Sequence, residues 1–224
     1  MNKKIVTLLA AGVAVLACGT LAAADIGLPK LPGLGGSRSS GGGGNAVALQ
    51  DGVVLRYVQA STSVSTALRE LALAYDLKEE AAKLDAEITS MQSGAVNDKD
   101  SLKKNSQVSS EAQAAVQQKM DSGAELSEEG RKHYIAALPH YVTGVRLTQQ
   151  LPDDARNFSS AAQAQLASAS LIEKTKLTSK LSTGTYLVGE IPGFSGRVLT
   201  GFRQIVTYAQ KNKIPVPDDA TSLL

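Results

Sequence analysis

The sequence predicts an all-α fold: an antiparallel up-and-down bundle of four to five helices, one of them long, behind a flexible N-terminal linker. Three observations predict it. From Ala46 onward, apolar residues recur at spacings of three and four, which is the period of a half-buried helix. Glycine and proline crowd the stretch before residue 46 and thin out after it. The one run with strand-like composition, Gly184-Thr185-Tyr186-Leu187-Val188-Gly189, has no second strand to pair with, and a lone strand makes no sheet.

The chain opens on an address. Lys3 and Lys4 precede an apolar run from Ile5 to Ala17, shorter than the ~20 helical residues that span a bilayer and arranged as a secretory signal. Ala22-Ala23-Ala24 before Asp25 offers the small residues that signal peptidase requires. A second pattern overlaps it, because Val15-Leu16-Ala17-Cys18 resembles the lipobox of bacterial lipoproteins. That resemblance implies an acylated Cys18 at the mature N-terminus. Cleavage after Ala24 and lipidation at Cys18 both stand as readings, and both place the protein outside the cytoplasm, in the periplasm or anchored to a membrane. The membrane enters only through that anchor.

Residues 25–45 hold 8 of the 20 glycines and no aromatic residue. Such a stretch buries too little apolar surface to offset its ordering entropy, so it reads as a flexible linker. Anchored at Cys18, it would hold the body on the order of 30 Å from a membrane, with a reach of about 90 Å at full extension.

The helical body is expected over 46–213. Its first segment runs from about Asp51 to Met91, with Val54, Tyr57, Val58, Val64, Leu68, Leu71 and Tyr75 on one stripe. Leu77, Ala81, Leu84, Ile88 and Met91 then form a displaced stripe. Either Asp76 and Glu79 cap a new helix there, or the stripe wraps around one helix ~60 Å long. A second helix, Asn97 to Asp121, is weakly amphipathic through Leu102, Val108, Ala112, Val116 and Met120. Ser127, followed by Glu128 and Glu129, starts a third, because the hydroxyl caps and the acids suit the positive helix end. Its face is Tyr134, Leu138, Tyr141, Val142 and Val145, with a kink expected near Pro139. Leu151-Pro152-Asp153-Asp154 is expected to end it and open a fourth helix. That helix runs through Phe158, Ala162, Leu166, Ala169 and Ile172 to about Leu181, with Lys174, Lys176 and Lys180 near its C-terminal end. Pro192-Gly193 should stop the strand-like run, and Ser195 to Asn212 makes the last helix, capped by Ser195. Pro215 and Pro217 mark an extended tail over 214–224.

Composition narrows the function. Twenty-three basic against 21 acidic residues give a formal charge of +2. Removing residues 1–24 takes Lys3 and Lys4 and no acid, which leaves zero, so the chain lacks the basic footprint of a nucleic-acid binder. One Cys excludes an internal disulfide framework and a thiolate-rich zinc site. There is no phosphate-binding glycine loop, HExxH helix or EF-hand loop. Gly193-Phe194-Ser195-Gly196 lacks the spacing of a nucleophile elbow. Paired acids such as Glu79-Glu80 and Asp153-Asp154 fall at helix starts, where they solvate and cap.

The two histidines, His133 and His140, are seven residues apart, about 20° around a helix and ~10 Å along it. That spacing does not converge on one metal ion, so no metal or cofactor is assigned. Glu129 lies one turn before His133 and could meet it. Tyr134 and Tyr141 repeat the same period and read as core tyrosines with hydroxyls toward solvent. Arg197, Arg203, Lys211 and Lys213 make the last helix basic, a surface for an anionic partner. The expected function is therefore a non-enzymatic exported envelope protein, a helical interaction or structural module that binds another envelope protein or its own copies. The candidate surface is His133, Tyr134, His140, Tyr141, Arg197 and Arg203. The alternative is a periplasmic carrier holding a small apolar or anionic ligand between helices, opening at Pro139. An enzyme would need His133 or His140 in a cleft beside a buried carboxylate.

Overall fold

The computed structural model describes residues 45–224; the signal, the lipobox at Cys18 and all of the linker but Asn45 lie outside the described residues. Among the described residues the fold is all-helical, with six α-helices, a terminal 3-10 turn and no strand. Helix α1 spans Ala46–Ala74, α2 Lys78–Gln92, α3 Lys99–Asp121, α4 Glu128–Ser168, α5 Leu171–Lys180 and α6 Ser182–Lys211.

The first predicted segment is two helices. Asn45 caps α1 by accepting from the Val47 amide at 3.1 Å. The helix ends because Asp76 adopts φ 57°, a left-handed turn that Asp tolerates better than most residues. A new helix does start there, as one of the two readings had it, but Asp76 is not its N-cap. Leu77 occupies that position without a side-chain hydrogen bond, and the exposed Asp76 carboxylate pairs with Lys78 at 3.2 Å. The reversal folds α2 back along α1, where Arg69 meets Asp85 at 2.9 Å and Thr62 meets Met91. Helix α3 starts on a capping box, with Asp98 accepting from the Asp100 and Ser101 amides at 2.8 and 3.1 Å.

Helix α4 is the long element, at 41 residues. Ser127 caps it as expected, accepting from the Gly130 amide at 3.0 Å. It does not stop at Pro152; it continues through both Pro139 and Pro152 to Ser168. An interior proline costs about 3 kcal/mol. Leu151, Ala155, Phe158 and Ala162 stay buried on one face across Pro152, and burying one large apolar side chain is worth about 1.5–3 kcal/mol, so packing outweighs the break. The chain turns at Ser170 instead, whose hydroxyl and amide both donate to the Glu173 carboxylate, at 2.7 and 2.9 Å.

The expected strand at Gly184–Gly189 and the expected cap at Ser195 are both inside α6. Gly184, Leu187, Ile191, Phe194, Val198 and Phe202 are all buried, a helical period that overrides the local strand propensity of Tyr186, Leu187 and Val188. The tail is not free. Ile214 and Ala220 are buried, Thr221–Leu223 closes as a 3-10 turn, and Asp219 accepts from Arg146 at 2.7 Å.

Cross-helix contacts set the directions. Ala46 meets Gln165, Arg56 pairs with Asp154, and Glu70 meets His133, so α1 and α4 run antiparallel. Tyr134 meets Ile205 and Gly184 packs on Phe158, so α4 and α6 are antiparallel too. Helices α1 and α6 are then parallel, joined by Gln50 at Gly184 (2.9 Å) and by the Tyr57 ring tilted against Phe194 at 4.8 Å. Small residues bring α1 and α4 close: Gly130 faces the Ala74 carbonyl, and Gly144 faces Val64. Gly52 is different, being exposed in α1 with open space where a side chain would be. Gly52→Ala is expected to stabilise the fold by about 0.5–1 kcal/mol, read as a raised urea midpoint.

Candidate functional site

Two acids are buried among the described residues, Glu87 and Glu70, and Glu70, which the sequence reading passed over, carries the larger polar cluster. It sits in α1 between Leu68 and Leu71, only 9% exposed. The signal was there: an acid interrupting an otherwise apolar stretch at a position that the helical period turns inward. Its carboxylate accepts from the adjacent Arg69 guanidinium and from His133 Nδ1 of α4 at 2.7 Å. Arg69 also donates to Asp85 of α2 at 2.9 Å. Helices α1, α2 and α4 are thus tied together by one polar cluster.

Burial opposes the charge on Glu70, but the hydrogen bonds from Arg69 and His133 more than offset it and hold the carboxyl below its ordinary 4.5. An ionised carboxylate only accepts, so His133 Nδ1 carries the proton it donates. Glu129, one turn before His133 and within its reach on the helix, instead pairs with Lys132 at 3.1 Å. His140 lies half-buried further along α4. Burial pushes its imidazole down and the Glu70 charge pulls in the opposite sense.

A carboxylate-held imidazole is the arrangement that orients a general base or a metal ligand. Here it stands without the other parts. Among the described residues, no three of His, Cys, Asp and Glu gather as a metal site. The cavity between α1, α3 and α6 and the groove between α4 and α5 are both lined by other residues. His133 therefore has the buried carboxylate that an enzyme reading asked for, and neither cavity brings it a substrate site.

The charge on Glu70 makes a stability prediction. Its folded-state value is depressed, so its contribution is complete above 4.5 and is lost as pH falls through the lower folded value. Glu70→Gln is expected to cost about 2 kcal/mol at neutral pH. The gap from the parent protein should close on acidification, as followed by urea unfolding across pH.

Tyr134 and Tyr141 are core residues, each 0% exposed, but their hydroxyls do not reach solvent. Tyr134 donates to the Ile205 carbonyl at 2.9 Å, stacks on Tyr208 with centroids 5.5 Å apart and meets the edge of Tyr75 at 6.4 Å. The Tyr141 hydroxyl is buried without a hydrogen-bond partner, against Phe202. Burial pushes both phenols upward. The space between these tyrosines and the last helix is filled by Phe202, Ile205 and Tyr208.

Arg197 is half-buried rather than displayed. Its guanidinium donates to Ser106 of α3 at 2.9 Å, and its carbonyl accepts from Gln113 at 3.3 Å. With Asn105, Val64 and Phe194 these groups line a cavity of about 10 Å³, room for roughly one water molecule. The Asn105 amide nitrogen beside it is buried without a partner. Arg203 is exposed on α6. The six candidate residues therefore do not form one surface: two are in the core, Arg197 serves the α3 contact, and His133, His140 and Arg203 reach solvent.

Ile172, expected in the core of a fourth helix, is 72% exposed and Leu171 is 84% exposed, because the turn at Ser170 swings α5 off the line of α4. Among the described residues, no helix is long and apolar enough to cross a membrane. In comparisons with family models, curated proteins and solved structures, nothing matches this chain.

Proposed function

We propose that the protein is a non-enzymatic envelope module: an up-and-down helical bundle, exported behind the signal of residues 1–24 and carried on the 25–45 linker, that binds another envelope protein or its own copies. The observation that carries this reading is the packing of the interior. Tyr57, Tyr134, Tyr141, Phe158 and Phe202 are fully buried and fill the spaces between α1, α4 and α6, so the body supports a surface more readily than it holds a ligand. The partner face is the side of α4 on which His133 and His140, about 20° apart around the helix, reach solvent beside the Glu70 cluster. A carrier that held its ligand between α1, α3 and α6 would require the Asn105–Arg197 seam to open well beyond its present volume of about 10 Å³.

The test is native followed by denaturing mass spectrometry on protein purified from the envelope of the host that makes it. The expected denatured mass begins at Asp25 or at an acylated Cys18, with no small molecule added in the native spectrum. A chain that still begins at Met1 would overturn the export reading. A reproducible extra mass seen only under native conditions would replace the interaction module by the carrier.

A further inference from the structure

Helix α5 is the least supported element of the body. None of its ten residues is buried, and an isolated helix of fewer than ~12–15 residues is marginal in water. It nevertheless projects Leu171 and Ile172 into solvent, the two most exposed large apolar side chains of the described residues. Ile172, Lys176 and Lys180 follow at intervals of four, which places them along one stripe. Lys176, Lys180, Glu173 and Leu177 also border the open groove between α5 and the end of α4. Glu173 is the only acid between Arg156 and Glu190, and its carboxylate is turned back onto Ser170. The outward face of α5 is thus apolar at its first turn and cationic beyond it.

From this we infer that α5 docks on an anionic lipid surface, with Leu171 and Ile172 entering the headgroup boundary and Lys176 and Lys180 meeting lipid phosphates. Short helices with aliphatic residues beside lysines bind at that depth, through apolar burial plus attraction to anionic headgroups. A second copy is disfavoured on the same face, because a two-fold contact would set lysines against lysines with no free acid to receive them. The position of α5 adds support. Gln50 donates to the Lys180 carbonyl at 3.0 Å, and Ala46 donates to Gln165, so Asn45, where the linker joins the body, lies at the α5 end. In the tethered reading proposed above, on which this last support rests, the tethered chain enters the body at the end that carries α5. A single acyl chain gives only marginal attachment, and a basic patch supplies the second signal.

The experiment is vesicle co-sedimentation of the protein purified with Cys18→Ser, so that no acyl chain can hold it. Binding is expected to vesicles of phosphatidylcholine with phosphatidylglycerol and not to phosphatidylcholine alone, and to weaken as salt screens the lysines. Leu171→Asp with Ile172→Asp should reduce binding at least tenfold. Lys176→Gln with Lys180→Gln should reduce it about thirtyfold. All four positions are exposed, and Asp suits the first turn of a helix, so the circular dichroism spectrum should be unchanged. Equal binding to both vesicle types, or variants that bind as the parent does, would overturn the inference. A dimer in solution that the Asp variant abolishes, with no vesicle binding, would overturn it in favour of a second copy. The mature N-terminus is read separately by mass, so a failed export reading and a failed lipid contact are told apart.

Discussion

Tyr134→Ala is expected to cost about 4 kcal/mol, because it empties a site packed against the rings of Tyr75 and Tyr208 and leaves a cavity the helices cannot close. Tyr134→Phe should cost only about 1 kcal/mol, since the ring stays and one hydrogen bond to the Ile205 carbonyl is lost. Tyr141 should behave in the opposite sense. Its hydroxyl is buried without a partner, so Tyr141→Phe removes a desolvated polar group and is expected to stabilise the protein by about 1 kcal/mol. Urea unfolding of the three variants checks the whole set. A Tyr141→Phe protein less stable than the parent would mean that the hydroxyl has a partner, such as a bound water.

Gly130→Ala and Gly144→Ala should each cost about 2–3 kcal/mol, although alanine is the better helix former. At Gly130 the added carbon would stand 2.5 Å from the Ala74 carbonyl oxygen and 3.2 Å from the Ser127 hydroxyl, so backbone must move and the helix cap is disturbed with it. At Gly144 it would stand 2.6 Å from a Val64 methyl and 3.3 Å from the Val64 amide nitrogen. The two sites are fourteen residues apart on α4, about 21 Å along the helix, so their costs should add. A combined loss near 5 kcal/mol is comparable with the whole stability of many domains. The double variant is then expected to lose its cooperative thermal transition, while Gly52→Ala on the exposed side of α1 gains stability.

Much of the fold was legible because periodicity reports burial directly. The stripe Tyr134, Leu138, Tyr141, Val142 and Val145 is buried as read, and so are Ala81, Leu84, Ile88 and Met91. The boundaries failed where local chemistry and packing disagreed. Pro152 and Pro192 look like stops, but each sits in a helix whose buried face continues past it. Ser170 looks like any serine in an Ala-rich run, and only Glu173 three residues on marks it as a cap. Missing that cap carried Ile172 into the core on paper. The Glu70–His133 contact spans 63 residues of chain, and no spacing rule within one helix could have found it. Tyr134 and Tyr141 were correctly placed in the core, yet the fate of their hydroxyls depended on what α6 offers at Ile205 and Phe202.

The pairing of α1 with α4 joins residues 63 to 119 positions apart, which gives an all-helical chain an unusually nonlocal topology. Such a chain must close large loops before its main interface rewards it, so its folding belongs with the slower millisecond-to-second class rather than with fast local bundles. Until α4 has been synthesised, Tyr57, Leu68 and Leu71 of α1 have no lasting cover. A nascent chain in that condition exposes apolar surface that is prone to aggregate until its partner helix arrives.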